Sequence, residues 1–436
     1  MLIPGDVRAC MERLENAGFE TYCVGGCVRD WLLGRQPHDF DLCSAARPEQ
    51  LEALFCDSDL VLAGEKHGTV GVVTPAGVVE ITTFRAEGTY ADNRHPDRVE
   101  FVTDIRRDLS RRDFTVNAMA WSPCRGLADP FGGAEDLKAG ILRTVGDPAQ
   151  RFREDALRIL RGVRFSVTYD LTPERRTLEA MLSLAPLLDH LARERVFSEF
   201  CGFLPKITSE ELKRYAPIIT QVIPELRETV DFDQHSPHHR FDLYTHITHV
   251  VEGVPGDVSL RWAALLHDVG KIPTFTRDKN GRGHFYGHAG VGADMAEEIL
   301  RRLKAPNALR EQAVLLIRQH MTRLTPDKRL LRRYISRWSY ETVEKLLYLQ
   351  QADMGSKGVP EETASFAAVW QALKEIQTEN SCLSLKDLAV RGGDLMALGY
   401  RGHAIGECLR DILEAVLDER VPNDREALLA FARKRQ

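Results

Sequence analysis

A pair of aspartates two positions apart is the feature that most restricts what this chain can fold into. Asp39 and Asp41 lie in the segment QPHDFDLCSA, where apolar residues follow the second aspartate as in a buried strand. Side chains alternate along a strand, so we expect both carboxylates on one face, about 7 Å apart at the backbone. Carboxylates this close repel each other unless a cation lies between them. Such oxygen ligands suit Mg²⁺, with phosphate oxygens completing its coordination shell.

Residues just upstream favour an anion beside this pair. Gly25 and Gly26 form a turn before the short predicted helix VRDWLLG, which contains Arg29. Glycines allow the backbone to approach a triphosphate closely, and the N-terminus of the following helix attracts anions. A structural reading stays open, in which Asp39 and Asp41 are ordinary turn and edge residues, because D-x-D alone is a weak signal.

The order of strand and helix patterns predicts an α+β head followed by a helical remainder. The segments ETYCVGG, TVGVVTPAGVVEITTF and RVEFVT have the pattern of strands and turns, and RRDLSRRDFTVNAMA predicts a helix. From about residue 146 onward the apolar spacing is helical almost throughout. We expect four domains: a head with a small mixed sheet and helices (1–145), a helical neck (146–225), a histidine-rich helical domain (226–360) and a helical tail (361–436).

Length and composition limit the class of protein. The 436 residues are too many for one ordinary core, and the formal net charge of −6 argues against a uniformly basic nucleic-acid coat. None of the nine cysteines forms a C-x-x-C pair, which indicates reduced thiols and a cytoplasmic location. No stretch approaches the ~20 apolar residues of a membrane-spanning helix, so we expect no membrane partner.

Three charged residues mark one face of a helix predicted over residues 152–165. Asp155, Arg158 and Arg161 follow each other at intervals of three, and apolar residues occupy the other side. One reading is a solvated, salt-bridged helix face. The other is nucleobase selection, because cytosine and adenine each place an amine donor beside a ring-nitrogen acceptor. Asp155 can accept from the amine and Arg158 can donate to the ring nitrogen, whereas guanine and uracil present the reverse pattern.

Histidine and aspartate residues recur in the middle of the chain. The pair His267 and Asp268 lies in the apolar run ALLHDVGK, and burying such a pair is costly without a partner. Further candidates on separate helical segments are His246, His288, His320 and Asp353. Several such groups that converge from different helices describe a metal cage. The alternative is a helical bundle with surface histidines.

The combined motifs over residues 20–200 resemble the nucleotidyltransferase superfamily, and most closely the bacterial CCA-adding enzymes and poly(A) polymerases. GG-x-V-R-D-x-L-L-G followed by D-x-D, then VEITTFR, RRDFTVNAMA and REDALRILRGVRF, carry this resemblance. It implies that Asp39 and Asp41 ligate Mg²⁺, and that Glu80 is either a third acidic group of the site or a structural residue of its hairpin. The residues implied to contact the nucleotide are Gly26, Arg29 and Arg112.

The same resemblance assigns nucleobase recognition to Asp155 and Arg158, and it implies that Arg161 and Arg164 bind nucleotide or hold the helix. The implied reaction is template-independent addition of CCA to the 3′ end of tRNA from CTP and ATP, with two metal ions and release of pyrophosphate. The loop 86–98 would help switch the pocket from CTP to ATP, and the glycine-punctuated tail would hold tRNA. A poly(A) polymerase, or an enzyme that adds only the terminal A, shares these motifs.

The histidine pattern looks like an HD-type phosphohydrolase domain. By matched position, the basic ligand set is His246, His267, Asp268 and Asp353, and the two additional histidines of the binuclear version are His288 and His320. Lys271 would meet a phosphate. The ligand types do not select among Ni²⁺, Co²⁺, Mn²⁺, Mg²⁺ and Fe. The resemblance implies a phosphodiesterase or phosphatase that acts on 2′,3′-cyclic or terminal phosphates of RNA. The histidine pattern also allows a competing interpretation of the whole chain, an HD phosphohydrolase whose head only binds nucleotide or RNA.

Overall fold

The chain forms two compact units. The computed structural model describes residues 1–37, 39–64, 68–87, 99–236, 240–356, 363–379 and 382–435. One unit consists of Met1–Lys206 and Arg214–Val222, and the other of Ile207–Lys213 and Ile223–Gln436. Most of the loop 86–98, for which we predict a switching role, lies outside the described residues. The boundaries of the four predicted domains stay a prediction.

A mixed sheet organises the first unit. Its strand order is β3-β4-β5-β2-β1-β8-β9; β1 is antiparallel to β2 and β8, and β2 is parallel to β5. The strands of this unit are β1 (Thr21–Val24), β2 (Asp41–Ser44), β3 (Leu60–Val61), β4 (Thr69–Thr74), β5 (Gly77–Thr83), β6 (Arg85–Glu87), β7 (Val99–Phe101), β8 (Ala120–Ser122), β9 (Gly126–Ala128), β10 (Ile141–Leu142) and β11 (Thr172–Pro173). The predicted hairpin is present as β4 and β5, and its turn lies at residues 75–76.

Helices cover the sheet and then continue the chain. The first-unit helices are α1 (Gly5–Asn16), α2 (Gly26–Leu32), α3 (Pro48–Leu54), α4 (Ile105–Ser110), α5 (Gly133–Lys138), α6 (Pro148–Glu154), α7 (Leu157–Tyr169), α8 (Arg175–Ser183) and α9 (Arg193–Phe203); α10 (Ser209–Arg214) and α11 (Ala216–Val222) follow. Capping carboxylates set several starts: Asp104 accepts from the N–H of Arg106 before α4, and Asp147 accepts from the N–H of Gln150 at α6. The core against the sheet includes Tyr22, Phe84 and Leu109.

Within the residues that the structure describes, the regular structure of the second unit is helical apart from one short hairpin. Its elements are α12 (Leu243–Gly253), α13 (Val258–Leu266), α14 (Lys271–Thr274), β12 (Thr276–Arg277), β13 (Gly283–His284), α15 (His288–Arg302), α16 (Asn307–Gln319), α17 (Lys328–Trp338), α18 (Tyr340–Ser356), α19 (Thr363–Thr378), α20 (Gly392–Ala397), α21 (His403–Leu417) and α22 (Arg425–Arg433). The predicted fold class, an α+β head followed by helical structure, is therefore confirmed. Among the helices within the described residues, none has the length and apolar character needed to cross a membrane.

The helix predicted over RRDLSRRDFTVNAMA is wrong beyond its first part. Helix α4 ends at Ser110, and the chain continues through a short 3-10 turn, Thr115–Asn117. The N–H of Thr115 donates to the carbonyl of Arg143 (2.9 Å), and the N–H of Val145 donates to the carbonyl of Asp113 (3.0 Å). These backbone groups bond to a distant segment, so they cannot also continue an α-helix.

The first unit tolerates no side chain at the start of α5. A Cβ atom added at Gly133 would lie 2.1 Å from the carbonyl oxygen of Thr115, so α5 or the 3-10 turn would have to move. We expect Gly133→Ala to lower the stability of the first unit by about 1–3 kcal/mol, measured by calorimetric or denaturant unfolding. Gly5→Ala is the matched control, because Gly5 also begins a helix and has no atom within 4 Å of the added Cβ. Equal stability of both variants would contradict this packing.

Candidate active site and metal centre

Two acidic residues lie side by side on neighbouring strands of the first unit. Leu42 on β2 pairs with Ile81 on β5, so Asp41 and Glu80, which directly precede them, are neighbours. Local desolvation raises the pKa of Asp41, the carboxylates of Glu80 and Asp39 raise it further, and Arg112 opposes them. Three carboxylates therefore share one electrostatic environment, which favours a bound cation.

The prediction that Asp39 and Asp41 share one strand face is wrong in its geometry. Strand β2 begins at Asp41, and Asp39 lies on the segment before it. The reason is the end of the partner strand: Val24 pairs with Asp41, and the chain then turns away at Gly25, which has a φ of 69°. Asp39 therefore reaches the site from a loop. Both aspartates are exposed.

The turn between β1 and α2 is packed against a guanidinium group. A Cβ atom at Gly25 would lie 2.9 Å from Nη1 of Arg112, so only glycine fits beneath this side chain at this φ. Nη2 of Arg112 is 3.4 Å from Asp108, while the buried Nε has no acceptor within the described residues. A guanidinium next to a glycine turn and near Asp41 fits a phosphate group.

Arg29 lies inside the protein. Its guanidinium donates to Asn117 (2.5 Å) and to Asp30 (3.0 Å) and contacts the hydroxyl of Tyr169. The Tyr169 ring lies 4.0 Å from the guanidinium carbon, which adds a cation–π contact. Arg29 therefore ties α2 to the end of α7. Its predicted contact with a triphosphate stays a prediction. A Cβ at Gly26 would lie 3.6 Å from Nη2 of Arg29, an ordinary contact distance.

The single helix predicted over residues 152–165 is wrong, because it is broken at Asp155. Helix α6 ends at Glu154, Asp155 has extended backbone (φ −141°, ψ 105°), and α7 starts at Leu157. The side chain of Asp155 accepts from the N–H of Leu157 (3.0 Å), which stabilises the new helix start. Its second oxygen lies 3.4 Å from Arg195. Asp155 is thus held at the junction of two helices.

The three arginines of α7 all have partners in the first unit. Arg158, which is buried, donates to Glu154 (3.0 Å) and to the carbonyl of Arg111 (3.1 Å). Arg161 binds Asp113 at 2.7 Å, and Arg164 binds Glu199 at 2.7 Å. Two roles are implied for Arg161 and Arg164, binding nucleotide or holding the helix. These contacts are of the kind that holds the helix in place.

Sequence reasoning missed Asp113 as the partner of Arg161. Burial alone would raise its pKa, but the Arg161 guanidinium, together with hydrogen bonds from Asn117 and the N–H of Phe114, lowers it to about 2. The signal was present in the motif RRDFTVNAMA, which contains Asp113 and Asn117. No short spacing, however, links this motif to an arginine 48 residues later.

Six side chains converge in the second unit from five parts of the chain. His246 lies on α12, and His267 and Asp268 follow α13. His288 begins α15, His320 follows α16, and Asp353 lies on α18. All six are buried. The structure therefore brings together the complete set of residues that the histidine pattern singled out.

Asp268 is the centre of this cluster. Its carboxylate oxygens lie 3.3 Å from His246, 3.2 Å from His267 and 3.5 Å from His288, while His320 is 4.0 Å away. Asp353 lies 3.1 Å from Nε2 of His246. Desolvation would raise the pKa of Asp268, but His267 and Lys271 and the nearby hydrogen bonds hold it well below its usual range.

Each histidine ring is oriented by a hydrogen bond at Nδ1. His267, His288 and His320 contact the backbone carbonyls of the residues three positions earlier, at 2.7, 2.8 and 2.6 Å. Nδ1 of His246 lies 2.7 Å from the hydroxyl of Ser356. A carbonyl only accepts, so Nδ1 of His267, His288 and His320 carries a proton. At His288 and His320, whose pKa is lowered by burial, Nε2 then presents a lone pair to the cluster. This arrangement is typical of metal-ligating histidines.

The lone pairs give a test of whether the residues fit a metal ion. Nε2 of His288 and Nε2 of His320 are 3.2 Å apart, and each ring is held with its proton on the opposite nitrogen. Burial lowers the pKa of both rings, that of His320 to about 4, so protonation does not relieve the repulsion near neutral pH. A divalent cation coordinated by nitrogen and carboxylate oxygen relieves it, so the donor set fits a transition metal.

Lys271 completes the surroundings of the cluster. Its Nζ lies 2.8 Å from Asp268 and 2.9 Å from the amide oxygen of Gln234. Gln234 and Ser356 were both missed by sequence reasoning, since neither lies at a spacing that points to the histidines.

Two family models match separate parts of the chain. The poly A polymerase head domain matches residues 21–143, which contain the acidic site. The tRNA nucleotidyltransferase domain 2 family matches residues 284–432.

Relatives match almost the whole chain. The CCA-adding enzyme of Streptococcus gordonii is 31% identical over 98% of this chain and 96% of its own length. That of Bacillus velezensis is 34% identical over 95% of this chain and 93% of its own. Among solved structures, the Bacillus stearothermophilus CCA-adding enzyme in complex with CTP has a TM-score of 0.68 and 27% identity, and covers 100% of this chain and 98% of its own. The chain belongs to the family of CCA-adding enzymes.

Proposed function

We propose that this tRNA nucleotidyltransferase adds C and A residues to the 3′ end of tRNA, using CTP and ATP at the site of the first unit. The observation that carries the proposal is the carboxylate group Asp39, Asp41 and Glu80 next to Arg112 and the Gly25 turn. Full-length relatives named CCA-adding enzymes, one of them solved with CTP, support these substrates.

In the proposed reaction the 3′-hydroxyl oxygen of tRNA bonds to the α-phosphorus, the bond to the β-phosphate oxygen breaks, and pyrophosphate leaves. Mg²⁺ held by Asp39 and Asp41 would favour ionisation of the hydroxyl and neutralise the charge of the leaving group. Arg112 donates to phosphate oxygens. Asp155 and Arg158 read the base, which requires Arg158 to exchange its contact with Glu154 for the ring nitrogen.

A poly(A) polymerase or an enzyme that adds only A is the competing function. Incubation of tRNA lacking its 3′ CCA with each nucleotide separately, and then with CTP and ATP together, decides between them. Addition of two C residues followed by one A supports the proposal. Addition of A alone contradicts it.

We also propose that the second unit is a metal-dependent phosphohydrolase that acts on cyclic or terminal phosphates of RNA ends. The observation that favours it is the facing pair of lone pairs on His288 and His320 beside Asp268. A bound transition metal would lower the pKa of a water molecule. Lys271 then faces the phosphate, water oxygen bonds to phosphorus, and the sugar oxygen leaves with a proton.

The two sites should fail independently. We expect Asp41→Ala to reduce nucleotide addition by about 1,000-fold or more, because the cation loses a ligand, and to leave phosphohydrolysis unchanged. Asp268→Ala should have the opposite effect. Both variants are measured with truncated tRNA and radiolabelled nucleotide and, separately, with a 2′,3′-cyclic nucleotide. Nucleotide addition by Asp41→Ala at the unmutated rate would show that the first site is misassigned.

Asp155 should control which bases are accepted. Asp155→Asn replaces one acceptor oxygen with an amide donor that can meet the carbonyl of uracil. We expect the preference for CTP over UTP, as the ratio of kcat/KM values, to fall about 10- to 100-fold. Asp170→Asn is the matched control, since Asp170 is an exposed carboxylate at the other end of α7. An unchanged ratio in Asp155→Asn would remove Asp155 from base selection.

Metal binding should stabilise the second unit. After chelation and dialysis, Ni²⁺, Co²⁺ or Mn²⁺ at 100 times its Kd should stabilise the unit by about 2.7 kcal/mol, seen as a rise in Tm. The rise in Tm on metal addition should be smaller in His320→Ala, because this variant lacks one of the nitrogen ligands. His403→Ala is the control, because this histidine is exposed on α21. An equal rise in all three proteins would place the metal elsewhere.

A further inference from the structure

The cavity beside the second-unit cluster carries apolar side chains that metal binding does not require. The cavity has a volume of about 250 Å³, and Asp268, His288 and His320 contribute to its lining. Tyr286 and Met321 line the same cavity and are 77% and 60% exposed. Large apolar side chains left in water at a cavity with convergent polar groups mark a ligand-binding surface.

The ring of Tyr286 stacks on a neighbouring imidazole ring despite its exposure. It is parallel to the ring of His284, with centroids 5.4 Å apart and 7° between the planes. Its hydroxyl lies 3.4 Å from Nδ1 of His284, and Nε2 of His284 lies 3.2 Å from Asp278. Asp278 is fixed in turn by the N–H groups of Asn280 and Arg282. An aromatic ring that is already oriented loses little conformational entropy when a ligand stacks on it.

The backbone links this ring to the cluster. Tyr286 precedes His288 by two residues, and Gly287, with a φ of 76°, turns the chain into α15. The carbonyl of Phe285 accepts from Nδ1 of His288 (2.8 Å), and Nζ of Lys271 lies 5.2 Å from the centroid of the Phe285 ring. One four-residue segment thus holds both a ligand-type histidine and the exposed ring, so their separation is set by the fold.

We infer that Tyr286, together with Met321, stacks on the nucleobase of the nucleotide whose phosphate is hydrolysed. This inference rests on the proposed hydrolase and names the residue that determines its specificity. The phosphate faces Lys271 and the cluster, and the base lies on Tyr286. Every nucleobase presents a π-face, so the platform accepts nucleotide ends of any sequence. A sugar phosphate without a base leaves Tyr286 and Met321 in water and binds more weakly.

The test compares two substrates that differ only in the base. The full chain is loaded with Ni²⁺ or Mn²⁺ and assayed with two substrates. One is adenosine 2′,3′-cyclic phosphate, and the other is methyl riboside 2,3-cyclic phosphate, which has a methoxy group in place of the base. We expect Tyr286→Ala to raise KM for the nucleotide about 10- to 100-fold and to change KM for the base-free substrate less than about twofold. Tyr286→Phe keeps the ring and should restore KM for the nucleotide. Leu385→Ala, at a 40% exposed apolar side chain outside the cavity, is the control.

Three results would overturn the inference. The first is an equal KM for both substrates in the unmutated protein. The others are a Tyr286→Ala variant in which KM rises equally for both substrates, or in which KM changes for neither. Hydrolysis of neither substrate would instead contradict the hydrolase itself. Stacking is then decided by calorimetry with adenosine 3′-phosphate and its base-free analogue. Any binding of adenosine 3′-phosphate in the first unit is the same in the unmutated protein and in Tyr286→Ala. A Kd for this nucleotide that is at least tenfold higher in the variant therefore supports stacking. Unchanged binding overturns it.

Discussion

The buried carboxylate of Asp113 connects the segments of the first unit that carry the residues proposed to bind nucleotide. Arg161 from α7 binds it at 2.7 Å, and the amide of Asn117 donates to it at 3.1 Å. The same amide accepts from Arg29 through its oxygen, so the helix that follows Asp155 is coupled to the helix that follows the Gly25 turn. The pKa of Asp113 is lowered from 3.8 to about 2, so its stabilising contribution is present above pH 4 and is lost as the pH falls toward 2. Removing Arg161 would leave the buried carboxylate of Asp113 uncompensated, which is far more costly than the pair itself.

Asp268 has the corresponding position in the second unit, but with a different balance of charge and lone pairs. At Asp113, donors surround one carboxylate, and every polar group is satisfied by protein alone. At Asp268, Lys271 supplies one positive charge, while the rings of His288 and His320 each direct a bare nitrogen inward. Burying two facing acceptor nitrogens with no donor between them is unfavourable. The Asp113 cluster is therefore complete as a structural element, whereas the donor set around Asp268 fits a cation.

Local sequence patterns were sufficient to predict an element where no contact with a distant segment changed its course. Alternating valines around a Pro-Ala-Gly turn predicted the β4–β5 hairpin, and the apolar residues Ile159, Leu160 and Val163 of α7 are fully buried as its period requires. The same signals failed at Asp155 and beyond Ser110, where side-chain and backbone bonds to distant segments end a helix that propensity would continue. Arg29 shows the same limit, because it is buried by Tyr169, which lies 140 residues later. The histidine cluster was predictable in membership, since its residue types are rare in apolar helices. The hydrogen bonds that orient its rings were not predictable.

The two candidate sites differ in the kind of metal ion that each can hold. The first offers carboxylate oxygens alone, exposed and next to a guanidinium, and such ligands suit a hard ion that keeps water and shares substrate phosphates. The second offers buried imidazole nitrogens around the carboxylates of Asp268 and Asp353, which favours softer ions and a resident metal. A metal that arrives with its nucleotide suits a site that must release pyrophosphate and accept a new nucleotide in each cycle. A resident metal suits a buried site whose ligands are already oriented by the protein. The ligand chemistry of the two clusters therefore differs in the kind of cation that each fits, a hard ion at the exposed carboxylates and a softer ion at the buried imidazoles.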